Sequence, residues 1–173
     1  LMGSLMSNVW SNIAKANADP SSFIELFNFK FGQTETKVLK LHEDKLSKYI
    51  HVDKNYYKLS FLWTLWKAFV NQEKIVYLYN EKQLAINALH QFSKYIIDNS
   101  PSSLFSINKL IYDHNGFKFD NNSIIEYSTY LSDILSKNEH SIVVLNGIKQ
   151  SLFQNTVDII KKYDYINKAI IIN

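Results

Sequence analysis

The stretch Tyr49-Ile50-His51-Val52-Asp53-Lys54-Asn55-Tyr56-Tyr57-Lys58-Leu59-Ser60, followed by Phe61 to Val70 and then Lys74-Ile75-Val76-Tyr77-Leu78-Tyr79, decides the fold. Ile50-His51-Val52 reads as a short strand. Phe61, Leu62, Leu65, Trp66 and Phe69 fall at helical spacing, which predicts an amphipathic, largely buried helix. Ile75 to Tyr79 is apolar throughout, as expected of a central parallel strand covered on both faces. Strand, loop, helix, strand is the layout in which a phosphate-binding loop sits, and the loop position here is 53–60.

That loop has lost its chemistry. Lys58 is followed two positions on by Ser60, but no glycine is present. A phosphate loop works because successive backbone N–H groups wrap the phosphates, and glycines permit that tight path. Tyr57 would bring a Cβ and a ring to where phosphate oxygens should lie. The layout points to an NTP-binding fold, and the loop argues against hydrolysis.

Outward from this unit, Asn8 to Asn17 reads as a short polar helix. Asp19-Pro20-Ser21-Ser22 is a helix start before Phe23-Ile24-Glu25-Leu26-Phe27. Phe29 to Thr36 reads as a turn punctuated by Gly32. Val38 to Leu41 alternates like a short strand, and 43–49 reads as a helical turn with Leu46 inward. Glu81 to Asp98 carries the clearest helical stripe, stopped by Asn99-Ser100-Pro101. Lys109 to Tyr112 and Gly116 to Phe119 form a hairpin around Asp113-His114-Asn115-Gly116. The remaining elements are a strand at 124–127, helices at 132–137 and 153–163, and strands at 141–145 and 168–172. Helices alternating with all-apolar strands predict an α/β fold of the RecA-like, P-loop NTPase type: a mainly parallel central sheet flanked by helices, with antiparallel edge strands near 109–127. Residues 1–6 read as a cloning remnant, with a native start near Met6-Ser7, and 7–173 as a single α/β domain.

Composition sets further bounds. The chain has 173 residues, 46% of them hydrophobic and 20% charged, which suits one domain with a real core. It has no cysteine, so thiolate metal sites and disulfides are excluded. Five histidines are scattered without ligand spacing, so no metal is expected. No apolar run is long enough for a membrane span, and a cytoplasmic location, a host's if the protein is viral, is the default expectation. The net charge is +3, and all 19 basic residues are lysines. The absence of arginine removes the finger used in phosphoryl transfer and the commonest guanine-reading contact. An AT-rich coding sequence would favour the same composition.

From about Pro20 to Asn173, the order of pieces resembles the ATPase domain of tailed-phage large terminases, the DNA-packaging motors. That family carries a P-loop of the type R-Q-x-G-K-T, and Lys54-Asn55-Tyr56-Tyr57-Lys58-Leu59 occupies its place. Lys54 stands where the family has arginine, and Lys58 where it has the phosphate lysine. Tyr57 replaces the glycine, and Leu59 the magnesium-binding hydroxyl residue unless Ser60 shifts into register. Lys74 to Gln91 resembles the family's second strand and following helix, and Gly116 to Ser123 its strand with an N-G-S turn. Ile142-Val143-Val144-Leu145-Asn146-Gly147 sits where the acidic Walker B segment would be, with Asn146 and Gly147 at or near its acidic pair. Lys168 to Asn173 resembles the strand before the coupling motif, which leaves no room in these residues for the nuclease domain of the full motor.

The resemblance therefore implies a pseudo-ATPase without cofactor or catalytic residues. It would act by binding a phage DNA-processing or packaging partner, or DNA. The residues themselves leave an alternative: a small DNA-binding accessory protein with Lys45, Lys48, Lys54 and Lys58 as its phosphate face. Tyr56 and Tyr57, placed in a loop between lysines, could stack on bases, make a protein contact or fill the vacant nucleotide pocket. Glu25, Glu43, Asp44 and Asp53 read as solvated surface rather than a two-metal cluster. Ser60 with His51 or His90 lacks the elbow of a nucleophile, and Trp63 and Trp66 read as core.

Overall fold

The computed structural model describes residues 2–101, 103–105, 110–113, 115–129 and 137–173. Three helices come first: α1 (Met2–Ala18), α2 (Pro20–Glu25) and α3 (Gln33–Glu43). β1 (Tyr49–Val52) leads through a 3-10 turn (Lys54–Tyr56) into α4 (Tyr57–Asn71), then β2 (Lys74–Leu78) and α5 (Lys82–Asn99). β3 (Leu110–Asp113), β4 (Gly116–Phe119) and β5 (Ile124–Ser128) follow, then β6 (Ile142–Asn146), α6 (Gln150–Lys162) and β7 (Lys168–Ile172).

Local chemistry sets several of these boundaries. The Asp19 carboxylate accepts from Ser22 N at 2.7 Å ahead of Pro20, so α2 starts where a capped, proline-led helix should. The Glu35 carboxylate accepts from Gly32 N at 3.0 Å and fixes the start of α3. At the other end of α4, Gln72 takes a left-handed conformation (φ 57°) and stops the helix.

The strands form one sheet in the order β1-β7-β6-β2-β5-β4-β3. From β1 to β5 the neighbours are parallel; β4 runs antiparallel to both β5 and β3. Pairing joins Tyr49 to Ala169, Val76 to Val143 and Ile75 to Ile125. Alternation along each strand then sorts side chains to two faces. Ile75, Tyr77, Ile125, Tyr127, Val144 and Ile170 meet α4 and α5, with α1 to α3 packed outside, around a core rich in aromatic rings. Phe61 stacks on Phe92 with centroids 3.9 Å apart, and Tyr77 on Tyr127 at 4.9 Å. Val76, Leu78, Val143, Leu145 and Ile171 face the other way, toward α6.

The α/β class, the parallel core and the antiparallel edge are as the sequence indicates, and the architecture is compatible with the Rossmann-like and RecA-like classes. Four local expectations are corrected. Val38 to Leu41 belongs to α3, because Leu39 and His42 are buried beside α4. Residues 44–48 are irregular, and Leu46 is 97% exposed rather than inward. Helix α4 begins at Tyr57, so Lys58, Leu59 and Ser60 are helical and not loop. Helix α1 runs from Met2 to Ala18, longer than the helix expected at 8–17. The expected helix at 132–137 lies outside the described residues but for Lys137, as do Lys109 and His114 of the hairpin region. No described helix is long and apolar enough to cross a membrane.

Candidate functional site

β2 stands at the centre of the seven-stranded sheet, with a parallel neighbour on each side. The next parallel strand in sequence, β5, lies on one side of it, and β6 lies on the other. The chain leaves β2 into α5 on the aromatic face and leaves β6 into α6 on the opposite face. A gap therefore opens beyond the carboxyl ends of these strands, at a topological switch point. Such gaps are where open α/β sheets bind ligands.

The gap is a crevice of about 590 Å³. Its near wall comes from the segment after β1: Lys54, Asn55 and Tyr57. Its floor is made by the strand ends, with Tyr79, Asn146, Gly147 and Ile172. The far wall is a stripe of α5, Leu84, Asn87, Ala88, Gln91 and Phe92, which share one side of the helix through spacings of three and four.

Hydrogen bonds hold this lining in place. Gln91 Nε2 donates to the Tyr57 hydroxyl at 3.0 Å, tying the near wall to the far wall. Asn146 Nδ2 donates to the Tyr79 hydroxyl at 3.3 Å. Asn80 clamps the β6–α6 turn from both sides: its Nδ2 donates to Gly147 O at 2.6 Å, and its Oδ1 accepts from Lys149 N at 3.0 Å. Gly147 also donates its N–H to Ile172 O at 3.0 Å and holds a left-handed φ of 64°. A Cβ there would meet nothing within 4 Å, so the turn backbone is open to close approach. The 3-10 turn is pinned by Asn55 N donating to Asp53 Oδ1 at 2.8 Å and Lys54 N donating to Asn173 O at 2.8 Å.

Lys54 is the one charged side chain in this lining, and no carboxylate lines the crevice among the described residues. Burial pushes the Tyr79 phenol far above its ordinary range, against the smaller opposing effect of the Asn146 hydrogen bond, so it stays protonated. The crevice thus offers carboxamides, two phenols, one lysine and apolar patches. That set can bind and orient. It lacks the carboxylates that would hold a magnesium ion or draw a proton from water.

Of the residues singled out in the sequence, the fold brings Lys54, Tyr57, Asn146 and Gly147 to this one crevice. The others lie elsewhere. Lys58 projects from the first turn of α4 over the Tyr95 ring, 4.7 Å from its centroid. Ser60 is fully buried, and its Oγ lies 2.8 Å from His42 Nε2; neither His51 nor His90 is its partner. Tyr56 is half-buried in a separate hollow with Phe29, Lys30 and Glu35. Lys48 sits over the Tyr49 ring at 5.8 Å, near the start of β1, while Lys54 follows its other end. Lys45 lines a second cavity of about 480 Å³ at the opposite, amino-terminal end of the parallel strands, with Trp63, Trp66 and Lys168. Trp63 is 1% exposed and Trp66 Nε1 donates to Ala16 O at 2.8 Å, both structural roles. Glu25, Glu43, Asp44 and Asp53 are all exposed, and no group of metal-ligating side chains assembles among the described residues.

Asn55 enters the sequence reading only as part of the loop, while Asn87 and Gln91 escape it as site residues. Their only signal was a polar stripe beside the buried face of the 82–99 helix. No protein-family model matches this sequence, and no curated protein matches it.

Proposed function

We propose that this chain is a non-catalytic binding protein, a pseudo-ATPase domain similar in layout to the large terminase ATPase, with the switch-point crevice as its working site. The partner is a viral DNA-processing or packaging component. The observation that supports this reading is the lining itself: Lys54, Tyr57, Asn146 and Gly147 converge, and no carboxylate accompanies them. Phosphoryl transfer needs charge neutralisation and a held metal, and one lysine among amides supplies neither in full. Lys58 is engaged with Tyr95, and β1 separates Lys48 from Lys54, so the four lysines do not form one phosphate face.

The test is calorimetry with ATP and Mg²⁺, with turnover assayed on the same sample. No turnover is expected from the wild type. ATP hydrolysis that disappears in Lys54→Ala or Lys58→Ala would overturn the proposal. Salt-sensitive DNA binding lost only when Lys45, Lys48, Lys54 and Lys58 are replaced together would favour DNA-binding accessory action instead.

A further inference from the structure

We infer that the switch-point crevice takes a single nucleotide unit, with its phosphate on Lys54 and its base edge on the carboxamides of α5. This inference rests on the reading of the crevice as a binding site and names its ligand class.

Charge decides the phosphate count. Lys54 has no ion-pair partner among the described residues and is the lining's single cation. A monophosphate or one phosphodiester matches it. A triphosphate would bring charge that one lysine cannot balance, and no lining carboxylate is present to hold the magnesium that normally shares that load.

Shape and hydrogen bonding decide the rest. The volume, about 590 Å³, falls within the range of small-molecule sites. Asn87 and Gln91 stand one helical turn apart on α5 and are exposed. Asn87 Oδ1 accepts from Gln83 Nε2 at 2.8 Å and keeps a second lone pair, and Gln91 Nε2 keeps a second N–H beside its bond to Tyr57, so each still has a donor and an acceptor to offer. Side-chain amides pair with base edges through both groups at once. Gln91 is held by Tyr57, so part of its orientation is set before a ligand arrives. Leu84, 46% exposed, and Ala88 on the same stripe provide apolar contact for a ring. The open backbone at Gly147 leaves room for a sugar or phosphate oxygen to approach the β6–α6 turn.

The same unit could arrive free or within a strand, so the probes are adenosine 5′-monophosphate, uridine 5′-monophosphate, adenosine, a short single-stranded oligonucleotide and ATP with Mg²⁺, each titrated by calorimetry. A mononucleotide is expected to bind more tightly than ATP–Mg²⁺. Lys54→Ala should weaken the mononucleotide about tenfold or more while leaving adenosine unchanged, since the nucleoside has no phosphate. Gln91→Leu should weaken both nucleotide and nucleoside. The exposed, remote Leu46→Ser should change neither. Oligonucleotide binding with the same Lys54 and Gln91 dependence identifies a strand as the source; its absence identifies the free nucleotide.

No binding by any probe, equal loss of nucleotide and nucleoside in Lys54→Ala, or tighter binding of ATP–Mg²⁺ would overturn the inference. None of those outcomes involves turnover, so the non-catalytic reading would stand without it. Hydrolysis dependent on Lys54 would instead overturn that reading.

Discussion

His42 Nε2 lies 2.8 Å from Ser60 Oγ, and both residues are sealed from solvent between α3 and α4. His42 Nδ1 is 2.8 Å from Val38 O. A carbonyl only accepts, so Nδ1 carries the proton and Nε2 accepts from the serine hydroxyl. Burial is the main force on the ring and lowers its pKa from 6.5 to about 4, against the opposing Val38 hydrogen bond.

The pH dependence follows from that relationship. The unfolded chain takes up a proton at His42 as pH falls below 6.5, while the folded chain resists until about 4. His42 therefore contributes full stability above pH 6.5, loses it steadily as pH falls toward 4, and contributes no further change below that. The whole effect is on the order of 3 kcal/mol. Urea unfolding of the wild type and His42→Gln at pH 7, 6 and 5 tests it: the variant should show a flatter decline. Parallel declines would rule His42 out as the source.

Ser60→Ala should cost about 1–3 kcal/mol, because it leaves the buried His42 acceptor unpaired. Mononucleotide affinity should be unaffected, as Ser60 is outside the crevice. Chemical denaturation and calorimetry on one preparation check both halves.

Gly116 and Gly147 should answer the same substitution differently. A Cβ at Gly116 would sit 1.9 Å from Ile125 O, inside the β4–β5 pairing, where backbone must move. Gly116→Ala should therefore cost more than about 3 kcal/mol or prevent folding. Gly147→Ala meets open space and carries only the left-handed strain, about 1–2 kcal/mol. Denaturation midpoints of the two variants settle the order.

Trp66→Phe should loosen the amino-terminal helix while sparing the sheet. It removes the 2.8 Å bond to Ala16 O but keeps an aromatic ring in place. Faster amide exchange and earlier proteolysis within residues 10–18, with a global loss of roughly 1 kcal/mol, is the expected pattern. A uniform rise in exchange across the sheet would contradict it.

Much of the fold was legible because its signals are strong. Residues 75–78, 142–145 and 169–172 are unbroken apolar runs, which suit strands covered on both faces. Asp19-Pro20 marks a helix start by side-chain chemistry alone. Val38 to Leu41 failed because a short run satisfies both periodicities, and only burial of Leu39 and His42 against α4 chooses the helix. Leu46 shows that apolar character does not require burial. The site was half visible. Lys54, Tyr57, Asn146 and Gly147 drew notice through their place in the layout. Asn87 and Gln91 did not, because an exposed amide on a helix looks the same whether it meets water or a ligand. Lys58 was placed in the loop because nothing before it breaks the helix one residue early or late, and that small difference turns its side chain toward Tyr95.

The position of β7 has a kinetic consequence. It comes latest of the described strands, yet it sits between β1 and β6, pairing Tyr49 with Ala169 and Asn146 with Ile172. On the ribosome, β1 has no neighbour to receive it until residues 168–172 emerge. Until then its flanking lysines and the α4 segment behind it must wait on an incomplete sheet. Closing so long a stretch of chain makes the last step slow, and a chain stalled before β7 would expose an unpaired β6 edge to aggregation.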